Sequence, residues 1–220
     1  LVSLAPVARA PAQDAPTSDR PKPKSTFVET FDDAEAWTHV RGDWRVEDGK
    51  LIQQTLQSDC RTVCEEIDLT DHYTLEVDAR KTGGHEGFLI IFRYHGKTVW
   101  WNLGGWGNTR SVVEDHEVPG TGTETTIETG RWYHITVVVH RQRLAGWIDG
   151  RRVFATEHDP AQVVARTNGT VGLGSWRTRV EFDNFRVTVY PGTPPPPPRP
   201  PAEVLAEERP KDWLYEEVVA

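Results

Sequence analysis

The chain has no methionine and only two cysteines in 220 residues. Without methionine no initiator stands at Leu1, so the start of a longer precursor is expected to be lacking. The two cysteines, Cys60 and Cys64, are spaced C-x3-C, with no further cysteine to complete a zinc site. In an oxidising compartment the expected state is a short-loop disulfide, provided a bend brings the pair together. So small a loop constrains little chain entropy, which makes it a local clamp. No run of 18 apolar residues occurs, so no membrane insertion is expected. A basic stripe is lacking as well. The 25 Lys and Arg are scattered among 33 Asp and Glu, and the net charge of −8 argues against nucleic acid or an anionic membrane surface as partner. The G-x-S-x-G, H-E-x-x-H and P-loop signatures are all missing. No amphipathic helical stretch of three turns appears before residue 200.

What the chain does have is aromatic mass, with nine tryptophans and 37% hydrophobic residues. That suffices for one β-domain with a sizeable core. Residues 1–10 (LVSLAPVARA) end in Ala8-Arg9-Ala10, the small-x-small pattern of a signal-peptidase site. They read as a signal-peptide remnant, with a disordered Ala-rich leader as the competing reading. The first makes the protein secreted, periplasmic or held at the cell surface. Residues 11–25 are rich in Pro, Ser and charge and form a linker.

Residues 26–190 form the domain, and there the pattern is strand and turn. Asp48-Gly49 and Asp149-Gly150 each separate two alternating apolar segments, which predicts hairpins with type I′ turns. Further strands are expected at 73–80, 87–94, 97–103, 109–114, 131–140, 170–175 and 178–190. Turn signals recur about every ten residues, as in an antiparallel sandwich. Along Val180–Val189 the alternation breaks, which predicts a bulge or a strand covered on both faces. Residues 191–201 are a polyproline linker, extended by about 3.1 Å per residue. Residues 202–220 are an acidic tail with one apolar cluster at Trp213, Leu214 and Tyr215. It reads as a docking segment for a protein partner or a neighbouring subunit.

The most informative stretch runs from His85 to Glu114. Trp100, Trp101 and Trp106 lie within seven residues, among Asn102, Gly104, Gly105, Gly107 and Asn108. Packing alone requires apolar volume, whereas flat apolar faces beside planar hydrogen-bonding groups suit a sugar. The expected stacking platform is Trp100 and Trp106, with Trp176 as a further candidate. Asn102, Asn108, Arg110, Arg93 and Glu86 are expected to supply hydrogen bonds. Trp101 alternates with Trp100 and is assigned with Leu103 to the core.

These segments (GFLIIF…WWNLGGWGNT, GRWYHITVVVHRQRLAGWIDGRRVF and GTVGLGSWRTRVEFDNFRV) resemble the concanavalin A-like, or laminin G-like, jelly roll. In particular they resemble the non-catalytic β-sandwich attached to family 51 α-L-arabinofuranosidases and, more distantly, the 3-keto-disaccharide hydrolase domain. The resemblance implies an all-β, two-sheet jelly roll with Pro-rich tails on either side, acting on or beside carbohydrate. It also implies a structural calcium, for which Glu29, Asp32 and Asp183 match the acids of the first and last strands loosely.

Catalysis is less well supported than binding. Jelly-roll glucanases set carboxylates at alternate positions of one strand. Here Glu66, Asp68 and Asp71 come close, but the last acid is a methylene too short and runs into a turn. Solvated strand-end charges explain them better. His85 and Glu86 offer the rival reading, acid–base chemistry on a 3-keto sugar, where the proton next to the carbonyl is acidic. The residues therefore point to an exported carbohydrate-binding module, with a 3-keto-glycoside enzyme as first alternative. A structural subunit docking through its tails is the second.

Overall fold

A computed structural model of the chain describes residues 21–114, 118–141, 143–157, 170–195 and 197. The signal-peptide remnant, most of the first linker and the acidic tail lie outside the described residues.

In chain order the strands are β1 (Ser25–Glu29), β2 (Trp37–Arg41), β3 (Trp44–Glu47), β4 (Lys50–Gln53) and β5 (Cys60–Cys64). Next come β6 (Tyr73–Gly84), β7 (Phe88–Tyr94) and β8 (Lys97–Gly104), followed by the short helical turn α1 (Gly105–Asn108). After it follow β9 (Arg110–Glu114), β10 (Thr123–Glu124), β11 (Trp132–His140), β12 (Arg143–Ile148) and β13 (Arg151–Glu157). The last two are β14 (Val171–Ser175) and β15 (Thr178–Val189). Sheet A has the order β13-β12-β11-β6-β15-β4-β3, with β1 also paired to β15. Sheet B has the order β10-β9-β8-β7-β14-β5-β2. The two antiparallel sheets form an all-β jelly-roll sandwich, as the residue pattern predicts.

The turns follow from residue chemistry. Asp48-Gly49, His95-Gly96 and Asp149-Gly150 each place two successive residues at positive φ, the requirement of a type I′ hairpin turn. The broken alternation along β15 is a bulge: its register against β6 shifts between Asp183 and Arg186, with Asn184 at φ 52°. Val180 and Phe182 point inward before it and Phe185, Val187 and Val189 after it, so one extra residue keeps both halves in the core.

The core lies between the sheets. β6 contributes Tyr73, Leu75, Val77 and Ala79; β7 contributes Phe88, Ile90 and Phe92; β8 contributes Val99, Trp101 and Leu103. Trp101 is completely buried, as expected, and packs edge-on against Phe154 with centroids 5.0 Å apart. Gly146 makes the room: a Cβ there would lie 2.8 Å from the Trp101 ring and 2.5 Å from Phe154. The opposite parity of β8 (Thr98, Trp100 and Asn102) is left on the outer face of sheet B.

Two expectations are corrected. Cys60 and Cys64 are free thiols at opposite ends of β5. Four residue steps along an extended strand set their Cα atoms about 13 Å apart, against a limit of about 7 Å between bridged Cα atoms. Both point into the core, so they serve as small apolar residues. The calcium set does not assemble either. Among the described residues no group of three or more His, Cys, Asp or Glu side chains could hold a metal ion. Glu29 instead accepts from the Phe31 N–H (2.7 Å) and the Trp37 indole (3.4 Å). Asp32 accepts from the Thr30 hydroxyl and Asp183 from the Asn184 N–H.

Candidate functional site

Beta-strand pairing brings distant residues together on the outer face of sheet B. Trp100 stands opposite Glu114, and Asn102 opposite Val112. Glu86, from the loop between β6 and β7, Trp106 on α1 and Trp176 in the turn after β14 rise around them. The six residues Glu86, Trp100, Asn102, Trp106, Glu114 and Trp176 line one hollow of about 230 Å3.

Each wall has a local cause. The sequence GGWGN builds α1 as a left-handed turn, with positive φ at Gly104, Trp106, Gly107 and Asn108. Glycine and asparagine tolerate that region; tryptophan, at φ 50° and ψ 52°, does so at a steric cost of about 1–2 kcal/mol. In this left-handed turn the Trp106 ring is 47% exposed, with the Arg110 guanidinium 5.0 Å from its centroid. Trp176 is 38% exposed, although its neighbours Ser175 and Thr178 are fully buried. Gln53 anchors that turn from sheet A by donating to the Ser175 hydroxyl (2.7 Å) and the Thr178 carbonyl (2.8 Å).

A chain of hydrogen bonds joins the three walls. The Thr178 hydroxyl donates to the Trp176 carbonyl at 2.8 Å and accepts from the Glu86 N–H at 2.9 Å. The Glu86 carboxylate in turn accepts the Gly107 N–H at 3.3 Å. On the floor, the Asn102 amide nitrogen donates to the Glu114 carboxylate at 2.7 Å, while Asn102 Oδ1 is buried without a protein partner. Gly105 lies against that amide, since a Cβ there would be 2.5 Å from Asn102 Nδ2. Lys81, on the inward parity of β6, is buried; burial pushes its ammonium below the usual value, opposed by the charge of Glu86.

The structure thus gathers Trp100, Asn102, Trp106, Trp176 and Glu86 of the expected set. It places the others elsewhere. Asn108 is occupied with Ile127, donating to its carbonyl at 2.9 Å and accepting its N–H at 2.8 Å, and so fastens α1 to the loop before β11. Arg93 is 3% exposed at the far end of β7, where it donates to the Leu69 carbonyl and Asp71. Arg110 backs Trp106 and lines a neighbouring trough, not the hollow. His85 is exposed and does not line the hollow, so the His85–Glu86 pair is not assembled as a unit. Glu66, Asp68 and Asp71 lie between β5 and β6, on no common strand, and the latter two are paired with Lys24 and Arg93. Sequence reasoning missed Glu114, because only the β8–β9 register makes it the neighbour of Trp100.

The two-sheet jelly roll and the relatives it matches mark a class: a β-sandwich of the glycoside-hydrolase-associated kind. Residues 26–188, more than half of the chain, match the 3-keto-alpha-glucoside-1,2-lyase-like domain, and the chain belongs to that family. It is 42% identical over 139 residues to an extracellular exo-alpha-L-arabinofuranosidase of Streptomyces chartreusis, a match covering 59% of this chain and 17% of that protein. The chain therefore spans a small part of that much longer relative. Among solved structures, the carbohydrate-binding module CBM66 of Bacillus subtilis aligns at TM-score 0.54 and 17% identity, covering 69% of this chain and 94% of that one. SCLam, a non-specific endo-beta-1,3(4)-glucanase of family GH16, aligns at TM-score 0.56 and 12% identity, over 78% and 95% of the two chains. At these identities the structural matches speak for the fold.

Proposed function

We propose that the chain is a carbohydrate-binding module of an extracellular glycoside-processing protein, with the hollow on sheet B as its ligand site. The observation that carries this reading is the convergence of three tryptophans from three separate elements on one hollow that also holds Glu86, Glu114 and Asn102. A core has no use for the exposed indoles of Trp106 and Trp176, the first at a strained φ, whereas a sugar stacks its CH faces on them and gives its hydroxyl protons to the carboxylates. The relative's activity on arabinofuranosides makes arabinose-containing polymers the first ligands to try.

The test is a binding screen of the full chain against arabinan, arabinoxylan and β-glucan, repeated with Trp106→Ala. Binding that the variant loses supports the reading. Binding that it retains in full removes the hollow as the site.

A second reading is favoured by one observation: the family's name describes a lyase on 3-keto glucosides, and two carboxylates, Glu86 and Glu114, line the hollow. A carboxylate could abstract the acidified proton beside the ketone. Turnover of a 3-keto glucoside that disappears in Glu86→Gln or Glu114→Gln would establish it; an inert wild-type protein would dismiss it.

A further inference from the structure

We infer that the ligand site extends past the hollow into a second subsite, a trough across β9 and β10, so that the ligand is a chain of several sugar residues. This rests on the carbohydrate reading above. The hollow alone, about 230 Å3, is smaller than the roughly 300–1,000 Å3 of ordinary small-molecule sites. Beside it lies a trough of about 740 Å3 lined by Thr109, Arg110, Gly122, Glu124, Thr125 and Thr126, among others.

The two are contiguous on one face. Arg110 pairs with Glu124 across the β9–β10 register, and both share the outward parity of Glu114, the floor residue of the hollow. The ridge between them is a single stack: Trp106 lines the hollow, and Arg110, lying over the same ring, lines the trough. Thr109 is fixed to that ridge, its hydroxyl donating to the Trp106 carbonyl at 3.0 Å.

The chemistry of the two parts is complementary. Apart from the indole N–H groups, the polar groups of the hollow are two carboxylates, which accept, and an amide whose nitrogen already serves Glu114. The trough adds the Arg110 guanidinium and the exposed Thr126 hydroxyl as donors, while the Thr109 proton serves the Trp106 carbonyl and Thr123 and Thr125 share one hydrogen bond. A glycan crossing the ridge places one ring among the indoles and offers its next hydroxyls, as acceptors, to Arg110 and Thr126. Gly122 leaves the trough open, and a Cβ there would meet only the end of the Arg110 side chain, at 3.2 Å.

The experiment is calorimetric titration of the full chain with defined α-1,5-arabino-oligosaccharides and β-1,3-gluco-oligosaccharides of one to five residues. Affinity should rise at least ten-fold between the disaccharide and the tetrasaccharide. Gly122→Phe, which plugs the trough, should abolish that rise while leaving disaccharide binding within two-fold of wild type. Glu124→Ala/Thr126→Ala, two exposed positions, should reduce the rise and guards against misfolding of the plugged variant. Equal affinity for short and long chains, or a rise that both variants leave intact, overturns the second subsite while Trp106-dependent binding keeps the hollow. No binding of any oligosaccharide or of the polymers overturns both.

Discussion

The carboxylate of Glu86 accepts the backbone N–H of Gly107 at 3.3 Å and so ties the β6–β7 loop to α1, across 21 residues of chain. That contact sets the distance between the Trp106 and Trp176 walls, because Glu86 is itself held by Thr178 beside Trp176. Glu86→Ala should weaken polysaccharide binding roughly ten-fold, about 1.4 kcal/mol. Glu86→Gln keeps an oxygen acceptor for Gly107 and should lose less. Equal losses in the two variants, measured by titration, would mean that charge and not wall spacing matters.

Trp106 and Trp101 should respond in opposite ways. Trp106→Gly removes a stacking surface and also relieves a left-handed φ, so binding should fall by about 1–3 kcal/mol with Tm unchanged or raised. Trp101→Ala opens a cavity in the sealed core and should cost about 3–5 kcal/mol of stability. Thermal denaturation beside a binding isotherm separates the two; a large fall in Tm for Trp106→Gly would reassign that ring to packing.

Gly105 tests the floor. Its Cβ would clash with the Asn102 amide, so Gly105→Ala should push Asn102 away from Glu114. The expected result is a loss of about 1–3 kcal/mol in stability, as for other overpacked sites, with weakened binding. Unchanged affinity would show that the Asn102–Glu114 contact plays no part in the ligand site.

The outer face of sheet A carries a pH-sensitive element remote from the hollow. His134 Nδ1 lies 2.7 Å from Asp78, and its Nε2 lies 3.9 Å from Glu76. The hydrogen bond to Asp78 first, and Glu76 second, raise the imidazole from 6.5 to about 9. The same bond, with one from Asn184, holds the Asp78 carboxyl below its ordinary value against the opposing effect of burial. A folded value above the unfolded one stabilises fully below about pH 6.5, and the contribution is lost as pH rises through about 9. His134→Ala should therefore flatten the decline of Tm across that window without altering glycan binding. A variant with the wild-type slope would assign the decline to other groups.

Free thiols at both ends of β5 make a simple chemical prediction. Iodoacetamide should alkylate Cys60 and Cys64 in unfolded, unreduced protein, read as two additions by mass, and reductant should leave Tm unchanged. Resistance to alkylation without reductant would contradict the extended geometry between them.

Much of the sandwich was legible in the residues. Asp-Gly pairs favour positive φ, so both predicted hairpins appear where they should, and the irregular alternation along Val180–Val189 is a bulge. The parity of Trp100 and Trp101 separated rim from core, because successive side chains of a strand point to opposite faces. Short or irregular edge elements escaped: β10 has two residues, too few for any alternation to register. The cysteines misled because spacing in sequence carries no distance until the local conformation is known. Within a bend C-x3-C can close; along β5 it cannot.

The sequence by itself determined the fold class and the strand parity, since both rest on local chemistry: turn residues, β-branched and aromatic runs, and period-two alternation. It also singled out Trp100, Trp106 and Trp176, which line one hollow. Only the tertiary structure decided which polar residues join them. Asn108, Arg93 and Asn102 read alike in the chain, yet backbone bonds to Ile127 occupy the first, burial beside Leu69 and Asp71 the second, and only the third reaches the hollow. Glu114 entered through strand register, a long-range property fixed by how the sheets bury their apolar faces and not by any neighbour in sequence.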